Sequence, residues 1–153
     1  NHFDIDMSHV FLSQFKGVKK VWLFPLEQSD YLYKLPYNFH STANLKNPDY
    51  IKFPALKYLS GFEAEIKEGE TLFMPSGFWH YIQYVTEGYS VSVRALPTKP
   101  IDRWRGFRNL VITRHFDNTM RKVFKDRWFQ YKVEQANKRA NIALKRKHSL
   151  KNL

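Results

Sequence analysis

The stretch Gly69-Glu70-Thr71-Leu72-Phe73-Met74-Pro75-Ser76-Gly77-Phe78-Trp79-His80 decides the fold of this chain. It fits the spacing G-x5-P-x4-H, for which the composition gives roughly 0.01 chance occurrences. Gly69 turns into a strand over residues 71–74, Pro75 and Gly77 turn out of it, and His80 opens the next strand facing inward. On its own, a histidine at such a place is more often structural. Upstream, His2-Phe3-Asp4 supplies the complement. On an extended segment residues i and i+2 share a face, so imidazole and carboxylate can hold one metal. Two histidines and a carboxylate make the facial triad of non-haem iron oxygenases, which leaves three adjacent octahedral positions open. The pair alone is weak, since six histidines and 14 acidic residues give roughly 0.5 such matches by chance. A second copy, His115-Phe116-Asp117, stands where helical periodicity begins. There i and i+2 diverge, and Asp117 reads as a helix N-cap. The metal ligands are therefore expected to be His2, Asp4 and His80, with His115 apart from them.

Around this motif the first hundred residues read as β structure. Residues 10–12 and 18–24 are short β-branched and aromatic runs, the second stopped by Pro25; residues 62–67 alternate like a half-buried strand. Residues 79–85 and 89–95, joined through Glu87-Gly88, predict a hairpin. Residues 27–60 form a long Tyr/Pro/Asn-rich connection, whose aromatic content predicts that it is ordered and packed. After two prolines in the stretch Leu96 to Pro100, the pattern changes to helix. Phe116, Met120, Phe124, Trp128 and Tyr131 recur at three-to-four spacing, continued by Ala136, Ala140 and Ala143. This predicts two parts, a barrel over residues 1–98 and a basic helical appendage over residues 99–153. Asp126 is a second candidate N-cap, and residues 145–153 are expected to fray. The aromatic stripe Phe116, Trp128 and Tyr131 is expected to be buried, with Arg121, Lys122, Lys125 and Lys132 solvated.

The 153 residues, 17% of them aromatic, exclude a disordered chain and suit one domain. With no cysteine, disulfides, thiolate metal sites and cysteine nucleophiles are excluded, which fits a cytoplasmic protein. No apolar run reaches the length of a membrane span, so no membrane partner is expected. The net charge of +11 lies wholly beyond residue 100, where 15 Lys and Arg meet four Asp and Glu. Such a surface is either a solvated helix face or a phosphate-binding one.

In order along the chain, His2-Phe3-Asp4, Gln14-x-x-Gly17-x-Lys19, Leu23-Phe24-Pro25, Asn47-Pro48-Asp49-Tyr50, Phe53-Pro54 and the G-x5-P-x4-H motif resemble the JmjC-like cupin family. This cupin-like, or cupin 8, group includes an asparaginyl hydroxylase. The resemblance implies a mainly β fold, a double-stranded β-helix (cupin, or jelly roll), followed by a C-terminal helical segment that often dimerises. It implies Fe(II) and 2-oxoglutarate as cofactors, and hydroxylation of a substrate, usually a protein side chain. His2, Asp4 and His80 fall on the iron ligands, and Lys19 on the lysine that grips the distal carboxylate of 2-oxoglutarate. Its row with Val21 and Leu23 looks buried, and a buried ammonium needs an anion. Two departures stand out. The segment from the HxD pair to Lys19 is about two residues longer, so Ser8 or no residue matches the family's intervening polar one. Arg94 replaces an Asn at the end of the last strand. Arg94 could bind the cosubstrate bidentately or form an ion pair at the barrel mouth. The resemblance also implies strands before the HxD pair, so the barrel is expected to lack its N-terminal strands here. Two alternatives stay open: a non-catalytic cupin binding module, and a nucleic-acid-associated protein using the basic helices.

Overall fold

The alternating and β-branched runs become strands where the sequence places them. The computed structural model describes residues 1–151. Its strands are β1 (His9–Lys16), β2 (Lys19–Phe24), β3 (Phe62–Ile66), β4 (Thr71–Met74), β5 (Trp79–Tyr84) and β6 (Tyr89–Ala95). They form two antiparallel sheets, ordered β4-β1-β6 and β3-β2-β5. The chain changes sheet at every connection except that from β2 to β3, the jelly-roll pattern. Val10, Leu12, Val21, Leu23, Ile66 and Met74 are buried between the sheets. Each such side chain stabilises the fold by about 1.5–3 kcal/mol relative to exposure. On the outer face of the β4-β1-β6 sheet, Phe11, Phe73, Val91 and Val93 remain about half exposed.

The predicted hairpin of residues 79–85 and 89–95 does not form: β5 pairs with β2 and β6 with β1. The turn at Glu87-Gly88 is a corner between sheets. The Val85 N–H donates to the Val18 carbonyl at 2.9 Å, and Gly88 lies against the Lys16 carbonyl. The β1–β2 corner thus holds the β5–β6 corner and sends the two strands to opposite sheets.

The long connection is ordered. Leu32, Tyr33, Leu35, Ala55 and Leu56 share a second core with Phe3, Phe24 and Trp79. Helix α1 (Pro100–Arg108) passes through a π turn, Asn109–Thr113, into α2 (Arg114–Lys151), and Ala136 and Ala140 of α2 enter the same core. The α2 segment is broken at Lys125, with φ 47° and ψ −123°. In a straight helix Asp117 and Lys132 would stand about 22 Å apart. They form an ion pair at 2.7 Å, and the Trp128 indole N–H donates to the same Asp117 oxygen at 2.7 Å. The chain therefore reverses at Lys125, directly before Asp126.

That reversal corrects three expectations. Asp117 is a buried counter-ion rather than an N-cap, and Lys132, expected in solvent, is 3% exposed. Phe116 and Tyr131, expected to be buried, are 40% and 44% exposed: the returning half of the helix sets Trp128 against Tyr37, with Tyr131 stacked on the far side of Trp128 and Phe116 against the edge of the pair. Of the tail expected to fray, α2 runs on to Lys151, and Asn152 and Leu153 lie outside the described residues. No helix among the described residues is long and apolar enough to cross a membrane.

Candidate metal centre

The HxD segment is extended but not a strand. His2 makes a single antiparallel bridge to His80 at the start of β5 and another to His40. The His2 and His80 backbones exchange N–H···O bonds of 3.2 and 2.8 Å. That two-bond clasp sets the imidazoles side by side, Nε2 to Nε2 at 3.1 Å. Asp4 joins them, and the ligand atoms of His2, Asp4 and His80 lie within 4.8 Å of one another. Nitrogens bound about 2.1 Å from one ion on adjacent octahedral positions would be about 3.0 Å apart, so the imidazole spacing suits a shared ion. His115 is not part of the cluster.

The electrostatics favour cation binding. Burial, reinforced by His80, lowers the His2 pKa to about 4, and burial lowers that of His80. Both rings are then neutral at pH 7 and offer lone pairs. The His80 Nδ1 lies 3.4 Å from the Phe78 carbonyl, a contact that turns Nε2 toward the site. Asp4 is 8% exposed, and its carboxylate accepts from the Arg94 guanidinium at 2.8 Å, while Arg94 also approaches Asp6 at 3.5 Å. Arg94 thus lies in an ion pair at the barrel mouth, on the metal-facing carboxylate.

Behind the triad runs an inward polar file. Leu23 pairs with His80 and Lys19 with Tyr84 in the β2–β5 register, so His80 and Lys19 face the same interior, about 13 Å apart along the strand. Lys19 is 3% exposed. Its ammonium donates to the Ser90 hydroxyl and lies 4.5 Å from the Tyr84 ring centre. Ser90, Ser92 and Arg94 share one face of β6, so that strand spans the file from the Lys19 end to the Asp4 end. Ser8 is buried and bonded to Asp6 at 2.8 Å, a support for the Asp4 turn.

Three features of the site had no role readable from the sequence, although one of them, Gln14, stands in a motif that carries the family resemblance. The first is the turn over residues 4–7, clamped by α1. The Asn109 amide donates to the Ile5 carbonyl at 3.1 Å, and Gly106 lies so close that a Cβ there would stand 2.3 Å from the Asp6 carbonyl oxygen. The second is Gln14, 2% exposed, with its side-chain oxygen unbonded. The third is a cavity of about 730 Å³ over His2 and Asp4, whose far wall is α2. A glycine inside a helix otherwise rich in Arg was the one available hint of the first.

Residues 2–120 match the model of the cupin-like domain family. The chain is 34% identical over 91 residues to JmjC domain-containing protein D of Dictyostelium discoideum, covering 56% of this chain and 20% of that protein. It is 35% identical over 92 residues to Lysine-specific demethylase JMJ30 of Arabidopsis thaliana, covering 57% and 21%. To tRNA wybutosine-synthesizing protein 5 of Homo sapiens it is 30% identical over 112 residues, covering 71% and 34%. The chain thus spans between a fifth and a third of the length of these relatives.

Proposed function

Because the chain belongs to the cupin-like domain family, whose JmjC members are 2-oxoglutarate-dependent oxygenases, we propose that it is an Fe(II)- and 2-oxoglutarate-dependent dioxygenase that hydroxylates a substrate. The observation that carries this reading is the convergence of His2, Asp4 and His80 beneath an open cavity. In this reading those three residues hold Fe(II), and Lys19 takes the distal carboxylate of 2-oxoglutarate at the far end of the polar file. Bound together, iron and 2-oxoglutarate supply the oxidising chemistry: O2 gives one oxygen atom to a substrate C–H and the other to succinate, with loss of CO2.

The chain's own residues prepare that site. The His2–His80 backbone clasp fixes the spacing of the rings, and Phe78 orients His80. Arg94 holds the Asp4 carboxylate in place, a positioning role, and itself lines the cavity. Trp79, fully buried behind His80, keeps water from the rear of the site. The relatives' names point both to lysine demethylation and to tRNA wybutosine synthesis, and so do not choose between a protein side chain and a nucleic acid.

Ile101, Trp104, Phe107, Val111 and Ile112 leave a run of half-exposed apolar side chains along α1 and the π turn. A patch of that kind suits a homodimer formed through the C-terminal helices, which light scattering at micromolar concentration tests. Cysteine-free composition suits a cytoplasmic setting. The decisive experiment for the activity is iron-dependent release of succinate from 2-oxoglutarate by the full chain, lost in His80→Ala. Iron binding with no succinate release under any substrate would instead favour a non-catalytic cupin binding module.

A further inference from the structure

The cavity over the triad has two chemically different walls. On the barrel side stand His2, Asp4 and Arg94; on the α2 side stand Arg114, Asn118 and Arg121. The latter are at i, i+4 and i+7, one stripe of a single helical stretch before the break at Lys125. The acidic groups near them already have cationic partners, Asp4 in Arg94 at 2.8 Å and Asp117 in Lys132 at 2.7 Å. Among the described residues neither Arg114 nor Arg121 forms an ion pair, and Arg121 donates to the neutral Asn118 amide oxygen at 3.3 Å. Two exposed guanidinium groups therefore face the approach to the metal centre without a counter-charge.

Beside that stripe lies an aromatic platform. Tyr37 lines the cavity and is 41% exposed. Its ring stacks on Trp128 at 5.5 Å and 29° and meets Phe116 at 4.9 Å. Guanidinium groups that track a backbone, next to ring faces on which bases stack, are the two components of single-strand recognition. Arg114 and Arg121 are separated by about 10 Å along the helix, the rise of about three stacked nucleotides. An acidic peptide would satisfy the arginines but leave the rings without a planar partner.

Resting on the oxygenase reading above, we infer that the substrate is single-stranded nucleic acid, its phosphates bound by Arg114 and Arg121 and a base stacked on Tyr37, so that a neighbouring nucleotide is presented to His2, Asp4 and His80. The whole positive excess of the chain lies on the helical segment that forms this wall.

The test is fluorescence anisotropy with the full chain and three labelled probes: a 12-nucleotide single-stranded RNA, the matching DNA, and a Glu-rich peptide of equal charge. The oligonucleotides should bind at least ~10-fold more tightly than the peptide, and the RNA–DNA difference identifies which strand is preferred. Arg114→Ala with Arg121→Ala should reduce the slope of log affinity against log salt by about 1.4, at about 0.7 for each phosphate on a single strand. Both residues are exposed, so the fold should survive. Tyr37→Asn, which suits the left-handed backbone there (φ 57°), should weaken binding several-fold and leave the salt slope unchanged. A peptide bound as tightly as the oligonucleotides, or an unaltered slope in the double variant, overturns the inference. Wild-type protein that releases succinate yet binds neither strand overturns the substrate class and leaves the oxygenase standing. Protein that binds the strand but never releases succinate overturns the oxygenase reading and supports the arginine site.

Discussion

Replacing Lys19 by methionine should make the protein more stable and less able to bind 2-oxoglutarate. Lys19 is 3% exposed, and its neighbours are a hydroxyl and a ring face; no carboxylate among the described residues pairs with it. A buried charge without a counter-ion costs several kcal/mol, whereas losing one hydrogen bond to a hydroxyl costs about 1 kcal/mol. Desolvation outweighs the lost bond, so Lys19→Met should gain about 1–3 kcal/mol without ligand. On the proposed function, the same change also removes a charge-assisted contact to the cosubstrate, about 1.5–3 kcal/mol, or roughly 10- to 150-fold in Kd. Urea unfolding followed by far-UV circular dichroism reads both effects, with manganese(II) present in every arm. At 2-oxoglutarate 100 times the wild-type Kd, linkage stabilises the wild type by about 2.7 kcal/mol. A variant whose Kd is about 30-fold higher gains only about 0.9 kcal/mol under those conditions. A variant that is less stable alone, and that gains as much from the ligand as the wild type, would refute the reasoning at both steps.

Gly106→Ala places a methyl 2.3 Å from the Asp6 carbonyl oxygen, more than about 1 Å inside ordinary contact. Overpacking outweighs the gain of about 1 kcal/mol in helix propensity, so stability should fall by about 1–2 kcal/mol. Metal affinity, measured by calorimetry, should drop about tenfold as the Asp4 turn shifts; unchanged affinity would detach α1 from the site. Burial, with Arg139 nearby, lowers the Lys34 pKa from 10.5 to about 8. Between pH 8 and 10.5 the unfolded chain then binds more protons than the native one, so stability rises with pH across that window. Lys34→Met should abolish that rise and stabilise at pH 7 by about 1–2 kcal/mol, less than the full displacement because some water reaches the ammonium; parallel pH–stability curves would contradict this. Lys132→Met strands the buried Asp117 with only the Trp128 N–H and should cost about 3 kcal/mol in urea, most of it recovered when Asp117→Leu is added.

The fold was legible where local chemistry and topology agree. Turn residues bounded β4 at Pro75 and β5 at Gly77, and alternation marked β3. The convergence of His2, Asp4 and His80 was legible because the two halves are each defined by local spacing, and the backbone clasp between His2 and His80 then sets their distance. What escaped were decisions made by distant backbone. Glu87-Gly88 has the composition of a hairpin turn, and only its contact with the β1–β2 corner makes it a passage between sheets. The reversal at Lys125 has no Gly or Pro to announce it, so the periodicity of α2 reads as one continuous helix. That hid the Asp117–Lys132 pair and misplaced the exposed side of the aromatic stripe. Arg94 was legible as an inward charge on β6, but its pairing with Asp4 depends on a turn shaped by α1, at the other end of the barrel sequence.

The buried charges fall into two physical kinds, and the difference separates scaffold from site. Asp117 receives two donors at 2.7 Å, from Lys132 and Trp128, and is complete as it stands. Such a pair adds little net stability, but it registers the two halves of α2. The barrel groups are incomplete by the same standard. Two imidazole nitrogens face each other at 3.1 Å with both rings lowered in pKa, so a second proton is excluded at neutral pH. Without one, two lone pairs at that distance repel unless a single shared proton or a cation lies between them. Asp4 adds a negative charge beside them, which favours the cation. At the other end of the file the Lys19 side chain meets neutral partners only, the Ser90 hydroxyl and the Tyr84 ring. One end therefore calls for a cation and the other for an anion, along the same inward face. In the proposed reading, a metal ion chelating a dicarboxylate would satisfy both ends with one ligand set, which packing alone does not do.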